Sequence, residues 1–407
     1  MELPIPKRRS FLFLSLSVLA FAIPWAKKAI PSVIAVILIA ALFDSIRKRA
    51  IVRPPDILAP ISLLAIFLLL LTGTTYSEHP YEAWNEIGIK LSFLIFPLLA
   101  FIIPNLSQAQ RSNIHDSFIA GCFLFIGIAL AHSTYETIQH RDLYYTTYDR
   151  LSWYMHPTYA ALYQCLNLFL LSSNAIRKKY FLNNAYLHYS AILVVLIFLA
   201  LLSSKAGYLT AILVLSVVLI QSIRAGLSIT KSIGAFALAI VIFSITIINL
   251  QAISQRLENA VMDLRIAKQR LSENSDTVSQ ATSTQMRLVT WQASMQVLME
   301  NPFGTGTGDT QEALNTIYLQ KLELHPAEKN LNAHNQFLQY GAELGWPALL
   351  AIFLCLFALW KSDMAEKTIQ LFVLICGLNF LFESMLEVQA GIVFFCFWVL
   401  VYSKTQC

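Results

Sequence analysis

Twelve apolar runs of roughly 15 to 20 residues recur along this chain of 407 residues, each about long enough to cross the hydrocarbon core of a bilayer as a helix. They lie near residues 11–25, 29–43, 57–72, 88–103, 114–131, 157–173, 188–203, 206–222, 232–250, 345–360, 368–383 and 388–403. Lipid offers no partner for an exposed N–H or C=O, so such a run must close its own backbone hydrogen bonds, which a helix does within the segment. The composition agrees, because 57% of the residues are hydrophobic and only 13% are charged, a balance that excludes an ordinary soluble domain. The expected fold class is all-α: a polytopic membrane helix bundle of about 12 transmembrane helices, forming a single integral membrane domain over residues 1–407.

Basic residues flanking membrane spans are retained on the cytoplasmic side, and this sets the orientation. With the N-terminus inside, Lys7-Arg8-Arg9, Arg47-Lys48-Arg49 with Arg53, and Arg177-Lys178-Lys179 all fall on that side. An even number of spans returns the C-terminus and Lys404 to it. The stretch KRRSFLFLSLSVLAFAIP has the look of a signal peptide, but no small-x-small cleavage site follows and Pro24-Trp25 interrupts it. It reads as an uncleaved first span. The six cysteines stand in spans or at the C-terminal end without metal-ligand spacing, so no disulfide framework is expected.

Two outer segments are long enough to carry chemistry: residues 132–156, rich in Tyr and Trp with His140 and His156, and a large helical loop over residues 251–344 between the ninth and tenth spans. The first suits interfacial anchoring or stacking on sugar rings. In the second, apolar residues at helical spacing predict an amphipathic helix near residues 251–268 and another in MRLVTWQASMQVLMENPFG, with Leu288, Trp291, Met295 and Leu298 on one stripe. Asn301-Pro302 stops that helix. The following GTGTGD lacks the Lys-Ser/Thr of a P-loop and reads as a flexible glycine turn.

The loop closes with NLNAHNQFLQYGAELGWPALL, residues 330–350. Asn332 as N-cap places Ala333, His334 and Asn335 in a first helical turn, with His334 on the face of Phe337 or Leu338, Gly341 and Gly345. Gly341 and Gly345 form a small-xxx-small pair that lets a neighbour approach. The macrodipole at a helix start disfavours an imidazolium and so favours the neutral ring a general base requires. From position alone, a histidine that only caps a helix fits as well. Lys205 sits in a sharp outer turn flanked by apolar sequence, where an isolated charge marks a site more often than not. Arg287 offers a planar fork for phosphate oxygens. No paired aspartates stand out in the outer loops, so no catalytic metal is expected.

At these residues the chain resembles the O-antigen ligase superfamily, which also contains O-antigen polymerases and related bacterial glycan ligases. The resemblance extends over the whole length, in about twelve spans, cytoplasmic termini and one dominant periplasmic loop. A histidine motif is matched by His334, Asn335 and Gly345, and a basic position before a Pro-Phe-Gly turn by Arg287 ahead of Pro302, Phe303 and Gly304. A basic-x-x-x-Leu motif is matched by Lys205 and Leu209, where the family usually has Arg. Lys keeps the charge but loses the bidentate fork. Trp346-Pro347-Ala348 also stand where the family has a short residue or Tyr.

The resemblance implies a GT-C-like bundle in a bacterial inner membrane that transfers a glycan from undecaprenyl diphosphate at the periplasmic face, among membrane lipids and without a nucleic-acid partner. A polyprenyl diphosphate is already an activated leaving group, so neither cofactor nor ATP is needed. His334 is then the base, and Arg287, Lys205 and Arg256 stabilise the departing diphosphate. Glu343 and Asp309 are the candidate orienters of His334. A ligase delivers the glycan to a lipid A-core or similar acceptor, a polymerase to another lipid-linked repeat, and a flippase only translocates it. Charges spread through many spans would suit a flippase, whereas here they gather on the outer side.

Overall fold

The computed structural model describes residues 7–48, 54–249, 283–320, 326, 330–361 and 367–404. Each of the twelve apolar runs falls in helix. The helices are α1 (Lys7–Ala22), α2 (Ile30–Lys48), α3 (Leu58–Thr74), α4 (Pro80–Ile89), α5 (Ser92–Ile102), α6 (Gln108–His140), the short α7 (Tyr148–Leu151), α8 (Pro157–Ile176), α9 (Ala185–Leu201), α10 (Lys205–Arg224), α11 (Ile229–Asn249), α12 (Ser283–Glu300), α13 (Thr310–Gln320), α14 (Gln336–Lys361), α15 (Lys367–Phe382) and α16 (Gln389–Ser403). The run at 88–103 is therefore two helices, meeting at Lys90. By length and composition, Pro80–Ile102, Gln108–His140, Lys205–Arg224 and Gln336–Lys361 can cross a membrane, and the remaining apolar helices are shorter. The helix expected near 251–268 and the candidate Arg256 lie outside the described residues.

Two helices form the centre. Residues 157–172 of α8 and 391–403 of α16 are buried on every side, as a helix apolar all round requires. Around them α14 lies along α3, α6 along α1 and α10 along α8. The outer helices turn large apolar side chains away from the protein, among them Ile39, Leu68, Leu350, Phe353 and Phe357, a surface that belongs in lipid rather than water. Buried polar side chains cross-link the helices instead of facing lipid: Asn379 donates to the Thr210 hydroxyl at 3.0 Å, and Gln164 of α8 to Cys122 O of α6 at 3.4 Å.

At one end of the bundle α12 and α13 pack on the start of α14 through a separate small core of Ala293, Val297, Leu314, Ile317, Tyr318 and Ala342. The buried face of α12 is the one with small residues, Thr290, Ala293, Ser294 and Val297. Of the apolar stripe expected to be its packing face, only Leu298 is buried. Leu288, Trp291 and Met295 line an open groove of about 490 Å³ with Met299 and Leu338.

The glycine-rich segment is a clasp, not a free turn. α14 breaks at Gly345, whose φ of 75° and ψ of −166° are accessible to glycine alone. Pro347 has no N–H for the Glu343 carbonyl, and the break takes the Trp346 N–H away from Ala342. Both orphaned carbonyls find donors in the clasp, Ala342 from Thr305 N at 2.9 Å and Glu343 from Gly306 N at 3.1 Å, while Trp346 N turns to Pro302 O at 3.0 Å. Gly345 thus abuts the Pro302-Phe303 backbone and Gly341 abuts Leu298, so the two glycines admit a loop and a side chain rather than one straight neighbouring helix. The clasp continues through the Thr307 hydroxyl, which donates to Leu70 O at 2.8 Å.

Asp309 ends the clasp by accepting from Ser77 Oγ at 2.8 Å, Glu78 N at 3.0 Å and His79 N at 3.1 Å. The His79 ring stands between two carboxylates, with Nδ1 3.0 Å from Asp309 and Nε2 3.1 Å from Glu312. Carboxylates only accept, so both contacts are filled when the ring is an imidazolium. The Asp309 hydrogen bond raises the His79 pKa, burial opposes it, and the charges of Glu312, Asp309 and Glu82 add to the rise. Burial pushes the Asp309 carboxyl up, but its N–H and O–H donors outweigh that and hold it below the usual range.

Two outcomes follow for this end of the molecule. Gly345→Ala is expected to cost about 1–3 kcal/mol from backbone strain alone, before the new Cβ meets Pro302 O, read as a fall in unfolding midpoint in detergent. His79→Ala should lower the melting temperature most below the ordinary imidazole value, with the gap to wild type closing as pH rises through the raised value of His79. Asp309 stays ionised across that window. An equal gap at about pH 6 and about pH 9 would show that the imidazolium clasp contributes nothing.

Candidate active site

α14 starts at Gln336, three residues later than the sequence pattern suggests, because Asn335 takes the capping role expected of Asn332. Its Oδ1 accepts from Leu338 N at 3.1 Å, its N–H donates to Ser384 Oγ and its Nδ2 to Leu381 O. His334 lies outside the helix in a left-handed conformation, φ 45°, with its N–H donating to Asn332 Oδ1 at 3.0 Å. Histidine visits this region more readily than bulky or β-branched residues, and a strained backbone position marks a functional site more often than chance.

That turn aims the ring at Glu383, at the end of α15. Nδ1 stands 3.2 Å from Glu383 Oε1. The carboxylate can only accept, so Nδ1 carries the proton and Nε2 presents its lone pair. Nε2 has no hydrogen-bond partner among the described residues, and the side chain is 28% exposed. Burial pushes the Glu383 carboxyl up, but the His334 hydrogen bond and the charges of His334, His156 and Arg287 outweigh it, so Glu383 is held below the usual carboxylate range. The orienter is thus neither Glu343 nor Asp309. Glu343 is committed to Lys90 and Asp309 to the clasp.

His156 caps α8, its Nδ1 accepting from Thr158 N at 3.4 Å. Burial lowers its pKa, Glu383 opposes, His334 and Arg287 lower it further, and Asp149 raises it. His156 thus stands within electrostatic reach of the pair. The charge of Arg287 on α12 also acts on Glu383, and the Thr290 hydroxyl, one turn on, donates to Ala333 O at 3.2 Å and ties that helix to the His334 turn.

Lys205 is the first residue of α10, half-buried, after the Ser204 N-cap. α10 and α15 are joined at Thr210 and Asn379. Five residues separate Lys205 from the first and four separate Glu383 from the second, so at about 1.5 Å per residue both lie at a similar level at this end of the bundle. His334 thus contacts Glu383, the charge of Arg287 acts on the same carboxylate, and Lys205 stands on a neighbouring helix at a similar level.

Beside this pair, Lys90 has 1% of its side chain exposed and meets three carboxylates: Glu86 at 2.9 Å, Glu343 at 2.9 Å and Glu387 at 3.0 Å. The three carboxylates come within 4.8 Å of one another, as in a divalent-cation site, but the ammonium fills the centre. Lys90, Glu383 and Glu387 escaped the sequence reading, although a signal was present. Each is a charge set among apolar spans, the feature that singled out Lys205.

The aromatic segment 132–156 is stacked largely on itself, His132 on Trp153 at 4.5 Å and His140 on Tyr145 at 4.9 Å, with Tyr144 and Trp153 still exposed. Lys27 ties it to the α1–α2 turn through Tyr154 O at 2.6 Å.

Residues 190–353 match a family model described as O-Antigen ligase, which supports the O-antigen ligase superfamily as the chain's family. The matched segment includes Lys205, Arg287, His334 and Gly345 and ends before Glu383. No curated protein matches the chain.

Proposed function

We propose that this member of the O-antigen ligase superfamily is a glycosyltransferase that moves a glycan from undecaprenyl diphosphate to a hydroxyl of lipid A-core or a similar acceptor. The observation that carries the reading is the His334–Glu383 pair, in which one ring nitrogen is held by a carboxylate and the other is open. Nε2 takes the proton of the acceptor hydroxyl as its oxygen attacks the anomeric carbon. The bond from that carbon to the diphosphate breaks on the opposite face, inverting the centre, and the electron pair leaves with the phosphate oxygen. Glu383 stabilises the imidazolium formed. Arg287, through its fork, and Lys205, as a point charge, neutralise the departing diphosphate, with Arg256 a third candidate. Cations in these places do the work a metal does elsewhere, and a diphosphate leaving group needs no nucleotide or other cofactor.

The groove of Leu288, Trp291, Met295 and Leu338 suits the apolar part of a lipid-linked substrate, since Leu338 lies in the first turn of α14, just after the His334 turn. On this reading the chain is a multi-pass protein of the bacterial inner membrane with twelve spans, both termini cytoplasmic, and the His334 end in the periplasm.

The test supplies purified protein with undecaprenyl-diphosphate glycan, first alone and then with lipid A-core. Glycan on lipid A-core is the expected product; chain growth without it would replace ligase by polymerase, and neither product would sink both. His334→Ala should lower transfer about 10²- to 10⁴-fold with membrane insertion retained. Glu383→Gln should lower it roughly 10- to 100-fold. Arg287→Ala and Lys205→Ala should weaken use of the donor while Lys205→Arg keeps activity, and EDTA should leave the rate unchanged. Wild-type transfer by His334→Ala would return the residue to a structural role.

A further inference from the structure

We propose that Lys90 is a positioning residue for the His334–Glu383 pair: its ammonium fixes the 383–388 segment against α4 and α14 and so sets where the Glu383 carboxylate stands. The inference rests on the reading of His334 as the base. The ammonium donates to Glu86 Oε2 at 2.9 Å and to both oxygens of Glu343 at 2.9 and 3.0 Å, and it forms an ion pair with Glu387 Oε2 at 3.0 Å. The three carboxylates belong to three different elements: Glu86 to α4, Glu343 to α14 and Glu387 to the segment between α15 and α16. Lys90 is thus a three-way junction with directions, which an apolar contact of equal area would lack.

The connection from that junction to the pair is short on both sides. Glu387 divides its oxygens, Oε2 on Lys90 and Oε1 accepting from Gln336 Nε2 at 3.3 Å. The Gln336 carbonyl oxygen accepts from Leu386 N, and the Tyr340 hydroxyl donates to Leu386 O at 3.3 Å, with the Tyr340 ring 5.4 Å from the ammonium. Gln336 is two residues from His334. Glu387 is four from Glu383, through a tight turn in which Met385 N donates to Glu383 O at 2.9 Å and Glu387 N to Ser384 O at 3.3 Å. Gly391 lets the Met385 carbonyl close against α16. A segment this constrained passes a displacement at Glu387 on to Glu383, and a displacement of about 1 Å in a reacting group can cost about 100-fold in rate.

The test uses the full chain in detergent with two readouts. One is transfer with the donor and acceptor above; the other is the rate at which diethyl pyrocarbonate modifies His334 at fixed pH, read by peptide mass spectrometry, which reports the freedom of the ring without requiring turnover. Lys90→Met is expected to lower kcat about 100-fold with donor KM little changed. His334 modification should accelerate toward its rate in Glu383→Gln, and the double variant Lys90→Met/Glu383→Gln should transfer no more slowly than Glu383→Gln alone. A folded Lys90→Met with wild-type transfer and wild-type modification rate would overturn the proposal. So would a loss that adds in full to that of Glu383→Gln with the modification rate unchanged, since that is a purely structural role. Should Lys90→Met fail to fold, Glu387→Gln decides, because it keeps the side-chain shape and removes one charge from the junction. It is expected to accelerate His334 modification and lower kcat in the same sense, and wild-type values for both overturn the proposal. If Glu383→Gln itself transfers as wild type, the base reading fails, and the modification rates still report whether Lys90 sets the ring's environment.

Discussion

A buried ammonium meeting three carboxylates is the interaction on which the His334 end of this molecule depends. Removing a charge from water costs several kcal/mol per ion, and attraction offsets that only when every donor and acceptor is well placed. Lys90 meets the condition, but only while α4, α14 and the 383–388 segment hold their relative positions. Glu343 is bound twice over. Its carboxylate goes to Lys90, while its carbonyl, orphaned by Pro347, accepts from Gly306 in the clasp. The ion cluster and the glycine-rich loop therefore brace the same turn of α14 from two sides, and the clasp extends that bracing to α3 and the Ser77–His79 turn.

The helical skeleton was legible because its cause is periodic and local. A run without charges in lipid has one solution per segment, and all twelve runs fall in helix. The breaks were less legible, although they have local causes too. Pro347 signals a lost N–H at the Glu343 carbonyl, yet where the substitute donor comes from depends on a segment some forty residues upstream. The same non-locality hid Glu383. It lies 49 residues from His334, and nothing in the spacing distinguishes it from Glu343 or Asp309. Charge among apolar residues does distinguish it, along with Lys90 and Glu387, because each must find a partner at that depth.

The shift of the helix start from Asn332 to Asn335 changes the electrostatics of the ring. Inside the first turn, His334 would feel the macrodipole as its main influence, and the dipole favours the neutral form. Placed before the helix, in a left-handed turn, it instead faces Glu383, whose carboxylate accepts at Nδ1. The contact fixes which ring nitrogen is held and which is open, the arrangement that a base acting through one atom requires.

The cations around Glu383 give the arrangement a direction. In the structure the charges of His334, His156 and Arg287 all act on this carboxylate and hold it ionised despite its burial. On the proposed reading, a diphosphate entering beside Arg287 draws the guanidinium's charge to itself. Glu383 is then left to depend more on His334, so donor binding tightens the carboxylate's hold on the ring just when the acceptor hydroxyl must lose its proton. For this coupling to help, Glu383 must stay in place when Arg287 turns away, and a carboxylate on a free loop would follow the guanidinium or retreat to water. The short turn from Glu383 to Glu387, anchored through Gln336 and Lys90, supplies that restraint.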